Sequence, residues 1–513
     1  MACEGGHDSK ESWTRLCYGD RNWRRVMNLR DGAIAIAFAL TALPHLAAAD
    51  NVVTYHNASD RHGVYTMPGL TLAAAATMHE DGSFHASVPG HVYAQPLFWH
   101  PAGGRALVIV ATESNAVTAL DAATGSTVWT TQLGAPVALS DLPCGNIDPE
   151  GITGTPVIDA RTGILYLDAL TNTKAGPRQL VAALSLDNGA AVHGWPLDVQ
   201  AELGRRSVHF DSRAQGARSA LQLVDGNLYV SYGGKFGDCG DYRGTVVQID
   251  TSSAKLSAVW QTRAKGGGIW AQGGAASDGQ SLFVTTGNTF GANDFGDGEA
   301  IVRLKPGLAH SPSAADFFAP SNWKVLDDDD ADLGGTEALP FHIGAAKRVI
   351  AFGKDGNAYL VDGDHLGGID GALAVAKESE YGIITAPAIL ETPIAAMIVF
   401  ASRGGCGANN VTMLRVTAAQ SPPISTLWCG AFRGRGAPII TTTDGASNAI
   451  VWAVGAEGDN LLHGFNAANG QVIFAGGGAP MTGLHHFQTP IAAEGRLYVA
   501  ADDRVYAFAF RGR

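Results

Sequence analysis

The chain has 513 residues, a formal net charge of −13, 65 glycines and a charged fraction of only 16%. The acidic balance argues against a polyanion-binding face, so nucleic acid is not an expected partner. The length exceeds what one hydrophobic core usually holds, yet no Ser/Pro-rich linker or charge block divides the chain after residue 50. A repeat architecture escapes that limit, because each unit packs only on its neighbours.

The N-terminus reads as an export signal. Arg24, Arg25 and Arg30 precede an apolar stretch from Ala33 to Leu43, and Ala47-Ala48-Ala49 then form a small-residue cleavage pattern that leaves Asp50 to open the mature chain. Met27 is an alternative start. The apolar stretch falls short of the roughly 20 residues a bilayer span needs, and no other stretch could cross a membrane after signal removal. The expectation is a periplasmic or secreted protein, with residues 1–49 as extension and signal peptide and 50–513 as one domain. Of six cysteines, Cys3 and Cys17 precede the cleavage. The other four, Cys144, Cys239, Cys406 and Cys429, allow three pairings. Cys144–Cys239 and Cys406–Cys429 is the expected one. No CxxC or CxxCH spacing occurs, which speaks against covalent haem and against a zinc ribbon.

From residue 93 onward one pattern recurs. A strand with a central Pro or small residue is followed by a turn, a strand of the type LYV, a strand ending in a variant of ALDAATG, and a strand often bearing Trp. The clearest copy is Ala106–Trp129, and weaker copies end at 183–189, 248–255 and 464–470. Alternating apolar residues give the strand signal, and the Asp/Asn and Gly of the motif suit a tight turn. The first strands of the copies fall at 93–98, 152–158, 218–224, 272–278, 336–343, 384–390, 434–440 and 486–492. This predicts an all-β, eight-bladed propeller of four-stranded antiparallel blades; seven is the alternative count if the fourth or fifth copy is an insertion. The last copy lacks a fourth strand, and 70–78 (LTLAAAATM) is expected to supply it and close the ring, because closure removes exposed edges.

The ALDAATGxxxW repeat resembles that of the pyrroloquinoline-quinone (PQQ) enzymes, the quinoprotein alcohol dehydrogenase-like superfamily, over most of residues 90–511. A non-catalytic outer-membrane assembly lipoprotein shares the repeat, so the resemblance implies fold before activity. Three segments match the dehydrogenase pattern. GGGIW (266–270) resembles the segment whose Trp lies under the quinone, implying Trp270 as a stacking floor. TTGNT (285–289) implies Asn288 as an oxygen ligand for calcium. KDGNAYLVD (354–362) implies Lys354 as a donor to the quinone carbonyl. Four positions depart. Only Cys144 matches the family's adjacent cysteine pair. Glu150 falls at or beside a carboxylate-binding Arg, where an acid repels a tricarboxylate. Cys239 replaces the calcium-binding Glu, with Asp238 and Asp241 close by. Leu304 holds the place of the catalytic Asp. Cofactors implied by the resemblance are therefore PQQ and calcium at a degenerate site, and a Cys144–Cys239 bridge would sit where cofactor and calcium belong.

In a propeller, residues just before the first strands converge on the central channel. They include Tyr93, Gln95, Arg218, Gln272, Arg433, Arg435 and Gln488. Arg218, Gln95, Gln272 and Arg435 join Trp270 and Lys354 as candidates for a cofactor or a small polar ligand such as a sugar; their alternative role is mutual satisfaction with ordered water. Candidate catalytic groups are Glu150, Glu337, Tyr381, His485 and His486. Glu150 with Glu337 would be an acid/base pair. His485-His486 would be a metal or proton-transfer pair, of which a strand turns only one member toward the channel. Asn288 and Asp241 are the candidate metal ligands, whereas the run Asp327–Asp330 with Asp332 lacks calcium-loop spacing and reads as solvated. Two functions stand: an oxidoreductase acting on an alcohol or sugar and passing electrons to a periplasmic acceptor, or a non-catalytic ligand-binding or scaffold propeller with an envelope partner. A hydrolase or lyase using Glu150, Tyr381 or His485 is a third.

Overall fold

A computed structural model describes residues 51–511 apart from 407, 408 and 419. The export signal, its cleavage pattern, Met27, Cys3 and Cys17 lie outside the described residues. Eight sheets follow one another around a ring. Blades 1 to 8 begin at Leu97, Val157, Gln222, Ala276, Leu339, Ala388, Ile439 and Ile491, so the eight expected first strands are all present.

Blade 1 shows why the sequence makes this unit. Its strands are Leu97–Trp99, Leu107–Ala111, Ala116–Asp121 and Thr127–Gln132, paired antiparallel in order. All five residues of Leu107–Ala111 are buried, because neighbouring blades cover both faces, whereas Thr127–Gln132 lies on the rim and is largely exposed. The Asp121 carboxylate accepts the N–H groups of Ala123 (3.1 Å) and Thr124 (3.0 Å). Gly125 completes the turn at φ 77°, and a Cβ there would meet the His85 backbone at 2.6 Å. The Trp of the motif joins blades. Trp129 donates to Leu186 O of blade 2 (3.0 Å), and its ring leaves no room for a Cβ on Gly189. Trp428 repeats the device on blade 7 through Ala467 O (2.8 Å) and Gly470. The repeat's Trp and Gly are thus two halves of one interblade contact.

The ring closes through the N-terminal side, but not with residues 70–78. That stretch carries a short helix, Leu72–Ala75, capped by the Thr71 hydroxyl. Closure comes from His79–Glu80 and Ala86–Ser87, both antiparallel to Arg504–Ala509 of blade 8. An alanine-rich run favours helix over strand.

The segment before the helix is the larger surprise. Residues 52–66 thread one end of the channel and bond to every blade. Val52 pairs with Phe98, and Val53 O accepts from Ile158 N. Arg61 donates to Leu221 O (2.9 Å), and Ser59 O accepts from Ser277 N (2.8 Å). His62 bonds Pro340 O (2.8 Å), while its own carbonyl accepts from Ile389 N. Val64–Thr66 then runs parallel to Ile439–Thr442, and the Tyr55 hydroxyl reaches Thr489 (3.1 Å).

Candidate functional site

The inserted segment settles what the channel's inner polar residues do. The Tyr55 hydroxyl donates to Gln272 Oε1 (3.0 Å), and Gln95 accepts His56 N (3.0 Å) while its amide reaches Thr54 O (3.3 Å). Two candidate ligand contacts are therefore committed to the plug. Glu337 is fully buried beside this segment, and neither carboxyl oxygen has a hydrogen-bond partner. Burial pushes its carboxyl up to about 7, against the pull of the nearby Arg61 charge. Arg61 itself is fully buried and bonds Thr54 (2.5 Å), Tyr55 O and Leu221 O.

At the other end of the channel, blades 1 to 4 form a packed slot. The Cys144–Cys239 bond links the loop before blade 2 to a loop of blade 3, with Cα atoms 6.0 Å apart; Cys406–Cys429 is bonded within blade 6. Both expected pairings hold. Glu150 is ion-paired with Lys235, whose side chain is 2% exposed. Around this pair, burial raises Glu113 to about 8 and Asp168 to about 7, the latter despite a 2.7 Å bond from the Tyr232 hydroxyl. Arg218 lies over Phe487 and contacts Asn146; burial lowers its pKa, although Glu150 opposes this. Glu150 and Glu337 belong to separate clusters, one with Lys235 and the other with the plug, so they do not form an acid/base pair.

Beside the slot, Lys354 sits 5.2 Å from the centre of the Trp270 ring. Its ammonium is paired with Asp332 (2.5 Å) and Asp330 (2.9 Å). Burial disfavours that charge, but the two carboxylates outweigh it and hold the pKa above its ordinary value. Asp332 also accepts Asn288 N (2.8 Å). The acidic run is therefore not simply solvated: Asp327 accepts Thr289 and Gly291 N–H groups, and Asp330 and Asp332 grip Lys354. Of the residues flanking Cys239, Asp238 turns inward to accept the Tyr242 hydroxyl (2.5 Å). The Asp241 side chain is 71% exposed and lies 3.6 Å from Lys265, whereas the Asn288 backbone N–H is held by Asp332. Leu304 is buried in the blade-4 core; the carboxylate beside Lys354 and Trp270 is Asp332.

The slot lined by Trp270, Glu150, Lys235, Arg218 and Phe236 has a free volume of about 20 Å³, room for a single water. A cofactor of three fused rings needs a pocket of about 300 Å³ or more. Its carboxylates would also meet Glu150. The arrangement does not fit a quinone, and the carboxylates beside Trp270, those of Asp330 and Asp332, are held by Lys354.

Open space lies instead over blades 5 to 7. A cleft of about 470 Å³ is lined by Lys354, Tyr381, Thr385, Ser402, Arg403 and Arg435, with Asp329 and Asp330 on one wall. Tyr381 is exposed and carries the Arg403 guanidinium 5.1 Å from its ring centre. Among the described residues neither Arg403 nor Arg435 has an ion-pair partner. His485 and His486 lie in a turn before blade 8 and not on a strand, so strand alternation does not govern them: both rings pack near Tyr93, with His485 bonded to Asp502 and His486 to Glu457 (2.6 Å). Gln488 is buried with both amide atoms unpartnered, and Arg433 stays at the exposed rim.

The sequence reading missed Tyr55, Arg61, Glu113, Asp168, Lys235 and Arg403. Most sit in second or third strands or in the lead-in segment, where no motif marks them. Asp332 carried a signal, as an acid 22 residues before Lys354, but the neighbouring Asp run hid it.

The family model described as outer membrane protein assembly factor BamB matches residues 86–159. No curated protein sequence matches the chain. Among solved structures, the quinohemoprotein alcohol dehydrogenase from Comamonas testosteroni is similar at 14% identity and TM-score 0.62, with 90% of this chain and 80% of that one covered. Quinohemoprotein alcohol dehydrogenase ADHIIG from Pseudomonas putida HK5 is similar at 11% identity and TM-score 0.64, covering 90% and 81%. A europium-containing methanol dehydrogenase is similar at 12% identity and TM-score 0.62, covering 90% and 98%. Eight blades, the Trp–Gly interblade contact and these likenesses together show an eight-bladed β-propeller fold similar to that of the quinoprotein alcohol and methanol dehydrogenases.

Proposed function

We propose that this chain is an exported binding propeller that has lost the quinone seat and takes a small polar ligand, one bearing a carboxylate and hydroxyl groups in the manner of a sugar acid, in the cleft over blades 5 to 7. One contrast supports the reading: the slot at Trp270 holds about 20 Å³, whereas the cleft beside it holds about 470 Å³ and presents the guanidinium groups of Arg403 and Arg435, which have no ion-pair partner among the described residues. A planar guanidinium engages a carboxylate through two parallel hydrogen bonds. Tyr381, Ser402 and Thr385 supply the apolar face and hydroxyl partners a sugar-like body needs. Two disulfides suit an oxidising compartment, and among the described residues no helix is long and apolar enough to cross a membrane.

The test has two arms. Titration with PQQ and calcium should give no saturable spectral change. Calorimetry with uronic and aldonic acids should show binding that neutral sugars do not match and that Arg403→Ala weakens. A saturable quinone spectrum together with dye-linked alcohol oxidation would overturn the proposal in favour of a dehydrogenase delivering electrons to a separate carrier. One observation favours that second reading: Asp332, Lys354, Asn288 and Trp270 are contiguous, a carboxylate, a cation and an aromatic plane of the kind the family chemistry uses. It requires the Glu150–Lys235 pair to give way.

A further inference from the structure

Where the chain's two ends meet, three potential metal ligands converge from distant positions. His91 lies just before blade 1, and His485 and Asp502 belong to blade 8. The His91 Nδ1 is 2.8 Å from Asp502 Oδ2, and the His485 Nε2 is 2.8 Å from Oδ1 and 2.9 Å from Oδ2. One ligand atom from each of the three lies within 4.8 Å of every other. Around a zinc-sized ion with bonds of about 2.0 Å, tetrahedral ligands stand about 3.3 Å apart, so a small relaxation brings all three into place.

The surroundings hold this arrangement. Tyr93 stacks on the His485 ring at 4.4 Å, fixing its plane. Val92 N donates to Asp502 Oδ1 (3.1 Å), and Gly90 N donates to the neighbouring Asp503 (2.9 Å), locking the loop that carries His91 onto the last blade. His91 is 47% exposed, whereas His485 and Asp502 are at 22% and 17%. The vacant side of the trio therefore faces solvent, where water or a further ligand can complete the coordination.

We propose that His91, His485 and Asp502 form a divalent transition-metal site that clasps the closing seam of the ring. Two imidazoles and one carboxylate select zinc-like ions over calcium or magnesium, which prefer oxygen. Binding replaces the two imidazole contacts to Asp502 with metal bonds, each neutral ring presenting a nitrogen lone pair to the ion and carrying its proton on the other nitrogen. The seam is the junction where hydrogen bonds cross 410 or more residues of sequence. A metal bound only by the folded ring raises stability in proportion to the logarithm of its concentration.

The full folded chain, stripped with chelator, is titrated with cobalt(II) as a visible probe and with zinc in competition. One equivalent should give saturable d–d bands that zinc abolishes, and zinc should raise Tm. His91→Ala and Asp502→Asn should each weaken cobalt binding by more than about tenfold, while His365→Ala, at an exposed loop, leaves it unchanged. His91 is exposed enough for its loss to leave the fold intact, which the metal-free Tm of each variant checks. Binding that is non-saturable, of higher stoichiometry, equally affected by His365→Ala, or unaffected by His91→Ala and Asp502→Asn would overturn the site. Calcium giving the same Tm rise as zinc would overturn its assignment to transition metals.

Discussion

The slot in blades 1 to 4 and the cleft over blades 5 to 7 are built on the same repeat, yet one is filled and the other open. In the first, a disulfide, the Glu150–Lys235 pair and the raised carboxyls of Glu113 and Asp168 fill the space between blades 1 and 3, and Trp270 borders a slot of about 20 Å³. In the second, Arg403 and Arg435 line open volume, and among the described residues neither has an ion-pair partner. The repeat specifies strands and interblade contacts, whereas the residues at strand ends decide whether the channel is structural or receptive. The filled half is expected to behave as stability, and the open half as binding.

The sharpest break of that contrast is the interblade disulfide. Cys144→Ser with Cys239→Ser releases a separation of 95 residues, which chain entropy values at about 4.7 kcal/mol. Removing Cys406–Cys429, with a separation of 23, should cost less, about 3.4 kcal/mol. Equilibrium unfolding in urea compares them, and the reverse order would make the Cys144 bridge a redox element rather than a staple.

Lys235→Met should destabilise by about 3–5 kcal/mol, since it leaves Glu150 buried without its partner. Adding Glu150→Leu should restore most of the loss. If the single change were silent, the packed slot would not be structural.

The pH profile comes next. Glu113, Asp168 and Glu337 all have folded-state pKa values raised by burial, to about 8, 7 and 7. Their contribution is complete below the unfolded carboxyl range and disappears as pH rises through 7 to 8. His56 is lowered to about 3 by burial, so its contribution is present above its unfolded value and is lost as pH falls toward 3. The sum of these contributions should peak at about pH 4–5, fall until about pH 8 and then level off. Glu337→Gln should flatten that decline by up to about 3 kcal/mol; Tm measured from pH 5 to 9 decides.

The smallest expected change in stability is in the open half. Arg403→Ala, at an exposed side chain, should shift unfolding by less than about 0.5 kcal/mol while abolishing most of the affinity for a carboxylated ligand. A large loss of stability would make the cleft a packing element as well.

The blade count, the two disulfides and the ring's closure from the N-terminal side were legible before the structure, because each rests on local rules: alternation for strands, Asp and Gly for turns, an even set of cysteines. Trp129 and Gly189 also belong to the motif, although their contact across blades did not show. The site was much less legible. Gln95 and Gln272 have the right chemistry for a ligand but are taken by Tyr55, His56 and Thr54, and Asp241 sits beside Cys239 in sequence yet faces solvent.

The order of polar and apolar residues by itself determined that this chain forms eight stacked blades, since a strand's faces follow from a period of two and need no knowledge of distant residues. Only the tertiary structure decided that residues 52–66 plug the channel, that Lys235 fills the slot by Glu150, and that His91 meets Asp502. Those pairings join positions tens to hundreds of residues apart, and what a buried charge does depends on which opposite charge the closed ring places beside it.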